Sequence, residues 1–366
     1  MRIRVMKRTD TPLYLRILFS VASVGVALLV GALLVALTGN DPARVYTTIL
    51  RGAFGSRYGI SEILVKASPI MLCALGIAIS FRMKLWNIGA EGQLAIGAFG
   101  ATFLPLYLPE LPRVVMLPGM ILLGFLFGGL WALLPAILRA LRGVNEVITT
   151  LMLNYVAALW LAYLCFGPWR DPDALHAFSP RFPEAARLPT LFGTRVHAGL
   201  AMAIVAAVVL WAMLEKTRWG YEVYTIGASP RVARYAGMNV PKNIMLAMFL
   251  SGGLAGLAGM AEVAGTIHRL QPHISPGYGY TAIIVAWLAV LHPGMILVVS
   301  ILFSSLLTGG YSVQMIGVPS EVTYMLQGVI LFFILAGEFF VKYRLVRLDR
   351  TELSSPSGDD GGEGGA

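Results

Sequence analysis

Apolar residues in this chain come in long blocks separated by short polar breaks, without the alternation of half-buried strands. A helix crossing a bilayer core needs roughly 20 mostly apolar residues. Blocks of that kind predict spans at 17–38, 61–81, 88–108, 114–138, 146–166, 197–215, 243–264, 279–291, 294–311 and 321–341. The eighth is short, and His292-Pro293-Gly294 interrupts the chain directly after it. That pattern predicts a half-spanning or re-entrant segment buried in protein, where its backbone groups find partners. The expected architecture is therefore all-α, a polytopic bundle of about ten transmembrane helices, with eight or nine as the alternative counts. The bundle occupies 17–341, between an N-terminal segment 1–16 and a tail 342–366. Residues 354–366 are Gly/Ser-rich and acidic, and disorder is expected there. The run from Ile17 to Leu37 follows a basic N-terminus but is too long for a signal peptide, so a retained first helix is expected.

Composition agrees with this pattern. The 366 residues are 57% hydrophobic and 13% charged, against about 25% charged in soluble chains. The formal charge of +9 reads as Lys- and Arg-rich cytoplasmic loops rather than a nucleic-acid surface. With the N-terminus inside, most of the 28 basic residues fall in cytoplasmic segments, among them Arg2, Arg82, Arg139, Lys216 and Arg344. Both termini are then cytoplasmic. The outer loop 167–196, with five prolines between Pro168 and Pro189, reads as an irregular cap. Cys73 and Cys165 lie in apolar blocks and form no disulfide or metal framework. Gly89, Gly92, Gly97, Gly100, Gly124, Gly128, Gly252 and Gly256 recur at small-xxx-small spacings that favour close helix packing.

The chemistry is sparse. No Walker-type phosphate loop, H-E-x-x-H or G-x-S-x-G occurs, and the five histidines are scattered. No cofactor, metal or catalytic residue is expected. Asn87, Glu91, Gln93, Asn145 and Asn154 stand in or at the ends of apolar helices. Polar groups at membrane depth tend to face a bundle interior, so these five are candidates to line a pathway for an uncharged polar solute, Glu91 and Asn154 first. They read equally well as caps and inter-helix hydrogen bonds. Asn87 is expected to N-cap the helix that carries Glu91, and Asn145 the helix that starts at Glu146. Glu262 is expected to face the bundle interior near the outer end of its span.

The longest cytoplasmic loop between spans, 216–242, carries Ser229-Pro230, an N-cap followed by proline at the first helical position. Gly237 is a natural stop. A short helix over 229–238 results, presenting Arg231, Arg234 and Tyr235. It suits docking to a cytoplasmic partner and lying on lipid headgroups equally well.

The segments MKLWNIGAEGQLAIGAFGA (83–101), GVNEVITTLMLNYVA (143–157), GASPRVARYAGMNV (227–240), SGGLAGLAGMAEVAG (251–265) and SPGYGYTAIIVAWLA (275–289) follow one another in this order. Together they resemble the permease family of ABC importers for ribose-type sugars, branched-chain amino acids and nucleosides, over roughly residues 60–340. The N-I-G-x-E-G-Q and N-E-V-I-x-x-L-M-L-N-Y stretches are similar to the purine-nucleoside branch. The resemblance implies import of a nucleoside or simple sugar across a bacterial cytoplasmic (inner) membrane. It also implies a second permease, here a different chain, and an external substrate-binding lipoprotein. Residues Ser229, Pro230, Arg231, Arg234, Tyr235 and Gly237 would form the coupling helix, seated in an ATPase subunit that hydrolyses ATP, so this chain is not itself an enzyme. The AVLHPGM stretch (289–295) departs from the family pattern. The rival reading is a stand-alone secondary transporter, against which the scarcity of buried carboxylates and the partner-like loop both argue.

Overall fold

The computed structural model describes residues 2–7, 13–191, 193–319 and 321–348. They form two compact units, one from the two ends of the chain and one spanning 46–320. In the first, α1 (Leu13–Leu37) packs against α13 (Glu321–Lys342). The ends beyond these helices pair as antiparallel strands, β1 (Arg2–Lys7) with β2 (Tyr343–Leu348), Arg2 opposite Leu348. This ribbon is a small addition to the expected all-α bundle. RIRVMK opens on a basic/apolar alternation, Arg2-Ile3-Arg4-Val5, at the two-residue period of strands, whereas YRLVRL keeps no such period. The expectation for 354–366 lies outside the described residues.

The second unit begins within α2 (Pro42–Phe54), an amphipathic helix too short and polar to register as a span. Its centre is α3 (Arg57–Arg82), opened by Ser56, whose Oγ accepts from Gly59 N at 3.0 Å. Small and aliphatic side chains surround α3 on every side, and 89% of its apolar window is buried. α5 (Arg113–Arg142), α6 (Glu146–Phe166) and α7 (Gly199–Lys216) bury only 33%, 28% and 28% of theirs. Apolar helices left this open are what a lipid surround requires.

Three helices meet at backbone distance through the expected glycines. A Cβ on Gly97 of α4 (Ala90–Tyr107) would strike Gly256 Cα on α10 (Val240–Glu262). One on Gly256 would strike the carbonyl oxygen of Gly124 on α5 and stand 3.0 Å from Gly128 Cα. One on Gly128 would strike Gly252 O. Close backbone approach of this kind is how helices associate where solvent supplies no hydrophobic drive.

Among the described residues six helices are long and apolar enough to cross a membrane, seven if α1 and α2 count as one bent span. Each segment predicted as a span falls on a helix. The eighth becomes α11 (Tyr278–Leu288), too short to cross. Left-handed Val290 (φ 50) and Leu291 (φ 56) turn the chain before Pro293 opens α12 (Pro293–Gln314). α4 starts later than expected, and this corrects the reading of Asn87. Left-handed Lys84 (φ 57) turns the chain out of α3, and 85–89 runs back into the core without helix. Gly89 holds the N-cap position and Asn87 is spent on other partners.

The proline-rich loop 167–196 has little regular structure beyond one 3-10 turn, Glu184–Ala186, yet it is tied down. Ser179 N, Phe182 N and Leu188 N donate to the carbonyls of Leu270, His268 and Ala264, at the π-helical end of α10. His197 closes this junction. Fully buried, it accepts from Gly199 N through Nδ1 at 3.1 Å and meets Thr266 Oγ1 through Nε2 at 3.4 Å. Burial, with His268 nearby, pushes its pKa from the ordinary 6.5 down to about 4. As pH falls the unfolded chain takes up this proton first, so the folded state loses stability progressively between pH 6.5 and about 4. The melting temperature of the purified protein should decline over that window, and His197→Asn should flatten the decline.

Candidate functional site

α4 and α11 both begin level with the middle of α10 rather than at its end, and their N-termini meet. A Cβ on Gly279 would strike Glu91 N and stand 2.7 Å from Glu91 Cα. Glu91 Oε2 accepts from Gly279 N at 2.7 Å. Ser275 Oγ in turn accepts from Gly277 N and Tyr278 N at 3.1 and 2.8 Å. Gly277 holds the N-cap in a left-handed conformation (φ 95) that side chains resist. Exposed amides make a helix N-terminus locally positive. One carboxylate placed between two such termini answers both.

Asn154, on α6, clasps the same turn. Its Oδ1 accepts from Gly92 N at 2.9 Å, while Nδ2 donates to Ile88 O at 3.0 Å and Tyr280 OH at 3.2 Å. Asn87 lies behind it, fully buried. It trades amide bonds with Gln93 at 2.9 and 3.0 Å and donates to Ser251 Oγ on α10 at 2.9 Å. The structure thus brings Asn87, Glu91, Gln93 and Asn154 together around one helix start. Asn145 stands apart. It is exposed and N-caps α6 through Val147 N at 2.9 Å. Its neighbour Glu146 is buried, accepting from Trp86 N at 3.2 Å and pairing with Arg139 at 3.2 Å.

Asn87 and Gln93 spend their amides on each other and on α10, so they hold the fold. The groups that keep an open edge are Glu91, Tyr280 at 41% exposure and Trp86 at 44%. Trp86 sits in an aromatic trio with Phe81 and Trp287, ring centroids 5.1 to 5.9 Å apart. Sequence reasoning missed Tyr280, Ser275 and Trp86. The Ser-Pro-Gly run before a short apolar helix was the available signal for the first two.

The second feature is the 216–242 loop. Its expected helix is present as α9 (Pro230–Tyr235). Ser229 Oγ accepts from Val232 N at 3.4 Å. At the other end Gly237 (φ 79) closes a Schellman motif, with Gly237 N on Arg234 O and Met238 N on Ala233 O, both at 3.0 Å. Ala233 is buried, whereas Arg231, Arg234 and Tyr235 (97%) are exposed. The loop holds a further helix that was not expected, α8 (Arg218–Ala228), N-capped by Thr217. α8 rests on the Arg82 end of α3, where a Cβ on Gly227 would strike Arg82 O. It leaves Tyr221 and Tyr224 exposed beside α9.

Residues 59–335 match the family described as branched-chain amino acid transport system / permease component. A glucose ABC transporter permease of Haloferax volcanii is 35% identical over 369 residues, 97% of each chain. A guanosine ABC transporter permease of Bacillus subtilis is 32% identical over 87% of this chain and 93% of its own. A nucleoside ABC transporter permease of Lactococcus lactis is 29% identical over 93% and 96%. The polytopic helical fold agrees with these similarities. The chain belongs to the branched-chain amino acid transport system permease family, as the membrane-spanning permease subunit of an ABC importer.

Proposed function

We propose that this permease carries a nucleoside or a simple sugar inward, through a pathway lined by the open edges of Glu91, Tyr280 and Trp86, with the buried Asn154 holding Tyr280 in place. The observation that carries the reading is the convergence of two helix N-termini on Glu91, with the exposed Trp86 on the segment that leads into α4. Hydrogen-bonding groups there suit sugar hydroxyls, and Trp86 offers a face on which a nucleobase stacks. Asn87 and Gln93 support this lining from behind, and Asn145 serves it only by starting α6. The similarity to nucleoside permeases supports a nucleoside, and the glucose permease, matched over 97% of this chain, keeps a sugar as the second reading. Uptake of labelled guanosine by cells with and without this chain, with unlabelled glucose as competitor, decides between them. Loss of uptake on deletion, insensitive to glucose, is expected.

The partners in this reading are an ATPase subunit that hydrolyses the ATP, a second permease that is a different chain, an external substrate-binding lipoprotein, and the surrounding lipid. The chain sits in a bacterial cytoplasmic membrane with about ten membrane-embedded helices. Pairing of β1 with β2 supports placing both termini on one side, the cytoplasmic one. α9, with Ser229, Pro230 and Gly237 as its frame, is the lever seated in the ATPase, and Arg231, Arg234 and Tyr235 are its contacts. ATP-driven motion reaches the bundle only through contacts that differ between its states. Both Arg231 and Tyr235 are exposed, so replacing them should leave stability within about 0.5 kcal/mol. The double variant Arg231→Ala/Tyr235→Ala is expected to retain ATP hydrolysis in the assembled transporter while uptake falls about tenfold or more. Wild-type uptake in that variant would remove α9 from the coupling path.

A further inference from the structure

Beside α9 a cavity of about 510 Å3 opens between this helix and the Arg82 end of α3. Three elements each bring one cation to it: Lys84 from the turn after α3, Arg139 from the last turn of α5, and Arg234 from α9. No carboxylate lines it. Glu146 approaches only as the partner of Arg139. Lys84 and Arg234 are exposed and make no ion pair among the described residues. Lys84 stands at a left-handed turn of the backbone (φ 57). The remaining wall is largely apolar, with Leu85, Ile226 and Ile244.

Three uncompensated or half-compensated cations around one cleft repel one another, and an anion that bridges them removes that repulsion. A phosphate fits best, because its several acceptor oxygens serve cations arriving from different directions. The cleft also lies where two membrane-spanning helices end, the depth of the headgroups, and basic clefts at that level are suited to anionic lipids. Its mixed lining matches an amphiphile: phosphate toward the cations, glycerol and the first methylenes along the apolar wall.

We propose that this cavity binds a phosphate-bearing anion, presented by an anionic phospholipid headgroup or free in solution, and that the anion braces α9 against the ends of α3 and α5. The brace matters for transport only through the reading of α9 as the coupling helix. Binding itself is read on the permease without the ATPase, so the two fail separately. The test is the melting temperature of the full-length permease in a neutral detergent, titrated with phosphatidylglycerol, phosphatidylcholine or inorganic phosphate. Phosphatidylglycerol should raise it and phosphatidylcholine should not. Lys84→Gln and Arg234→Gln should each weaken that effect about tenfold, with an unchanged melting temperature in the absence of added lipid. A matching rise with inorganic phosphate alone assigns the site to a free anion. Equal shifts with both lipids and none with phosphate, or a phosphatidylglycerol shift that survives in the Lys84→Gln/Arg234→Gln double variant, would overturn the proposal.

Discussion

Replacing Gly256 by leucine is expected to leave almost no folded permease in the membrane. The position has no room for any side chain, since even a Cβ would strike Gly124 O and stand 3.0 Å from Gly128 Cα. Neither obstacle is a flexible side chain that can swing aside. Nor can α10 retreat from α5 in the other direction, because Gly97 of α4 presses on Gly256 from there. Overpacking a tight interface typically costs about 1–3 kcal/mol, and more where backbone must move. Here two helix pairs have to separate, and the cavities that open between them add to the cost. A loss of at least about 3 kcal/mol is expected, enough on its own to change the folded-to-unfolded ratio more than a hundredfold. Size-exclusion of a detergent extract should show the monodisperse peak reduced by at least tenfold. Gly25→Ala is the control, as nothing stands within 4 Å of the Cβ that it adds. A monodisperse, transport-competent Gly256→Leu protein would show that α4, α5 and α10 do not meet in this way.

That interface was legible in the sequence because small-xxx-small spacing is a local signal read off a single helix. The same holds for α9, whose Ser-Pro start and glycine stop lie eight residues apart at Ser229 and Gly237. What the sequence hid is set by distant partners. Asn87 looks like a cap for the helix beside it, yet the bond to Ser251 that fixes its place spans 164 residues. The strands β1 and β2 come from opposite ends of the chain. α2 and α8 escaped for a different reason. Both are amphipathic and lie outside the long apolar runs, so a search for spans passes over them.

Glu262 is a buried acid outside the Glu91 cluster. It lies at the end of α10, fully buried, within electrostatic reach of Lys66 and Glu62 on α3. Lys66 itself stands over the Tyr311 ring at 3.9 Å, and Glu62 pairs with Arg195 at 2.7 Å. Glu262 makes no ion pair among the described residues and its Oε2 has no hydrogen-bond partner there, so the pair that ties α3 to the outer loop is Glu62 with Arg195. The family match removes the stand-alone transporter for the chain as a whole.

Glu91 is in a different position, with no cation beside it, and its removal is expected to abolish transport. Its carboxylate accepts from the backbone amide of Gly279, and so ties the start of α11 to the start of α4. Hydrogen bonds to a charged group are worth about 1.5–3 kcal/mol each. Glu91→Ala removes the bond to Gly279 N and leaves two helix N-termini facing one another without an anion. The α11 start should then part from α4, displacing Tyr280 and its bond to Asn154, and uptake should fall more than tenfold. Glu91→Gln separates clasp from charge. Its amide oxygen can still accept from Gly279 N, so the helices should stay joined while the negative charge is gone. If charge shapes the pathway, Glu91→Gln transports as poorly as Glu91→Ala although its melting temperature stays near wild type. Were it to transport normally, Glu91 would be a clasp alone, and the search for what contacts the solute would shift to Tyr280 and Trp86.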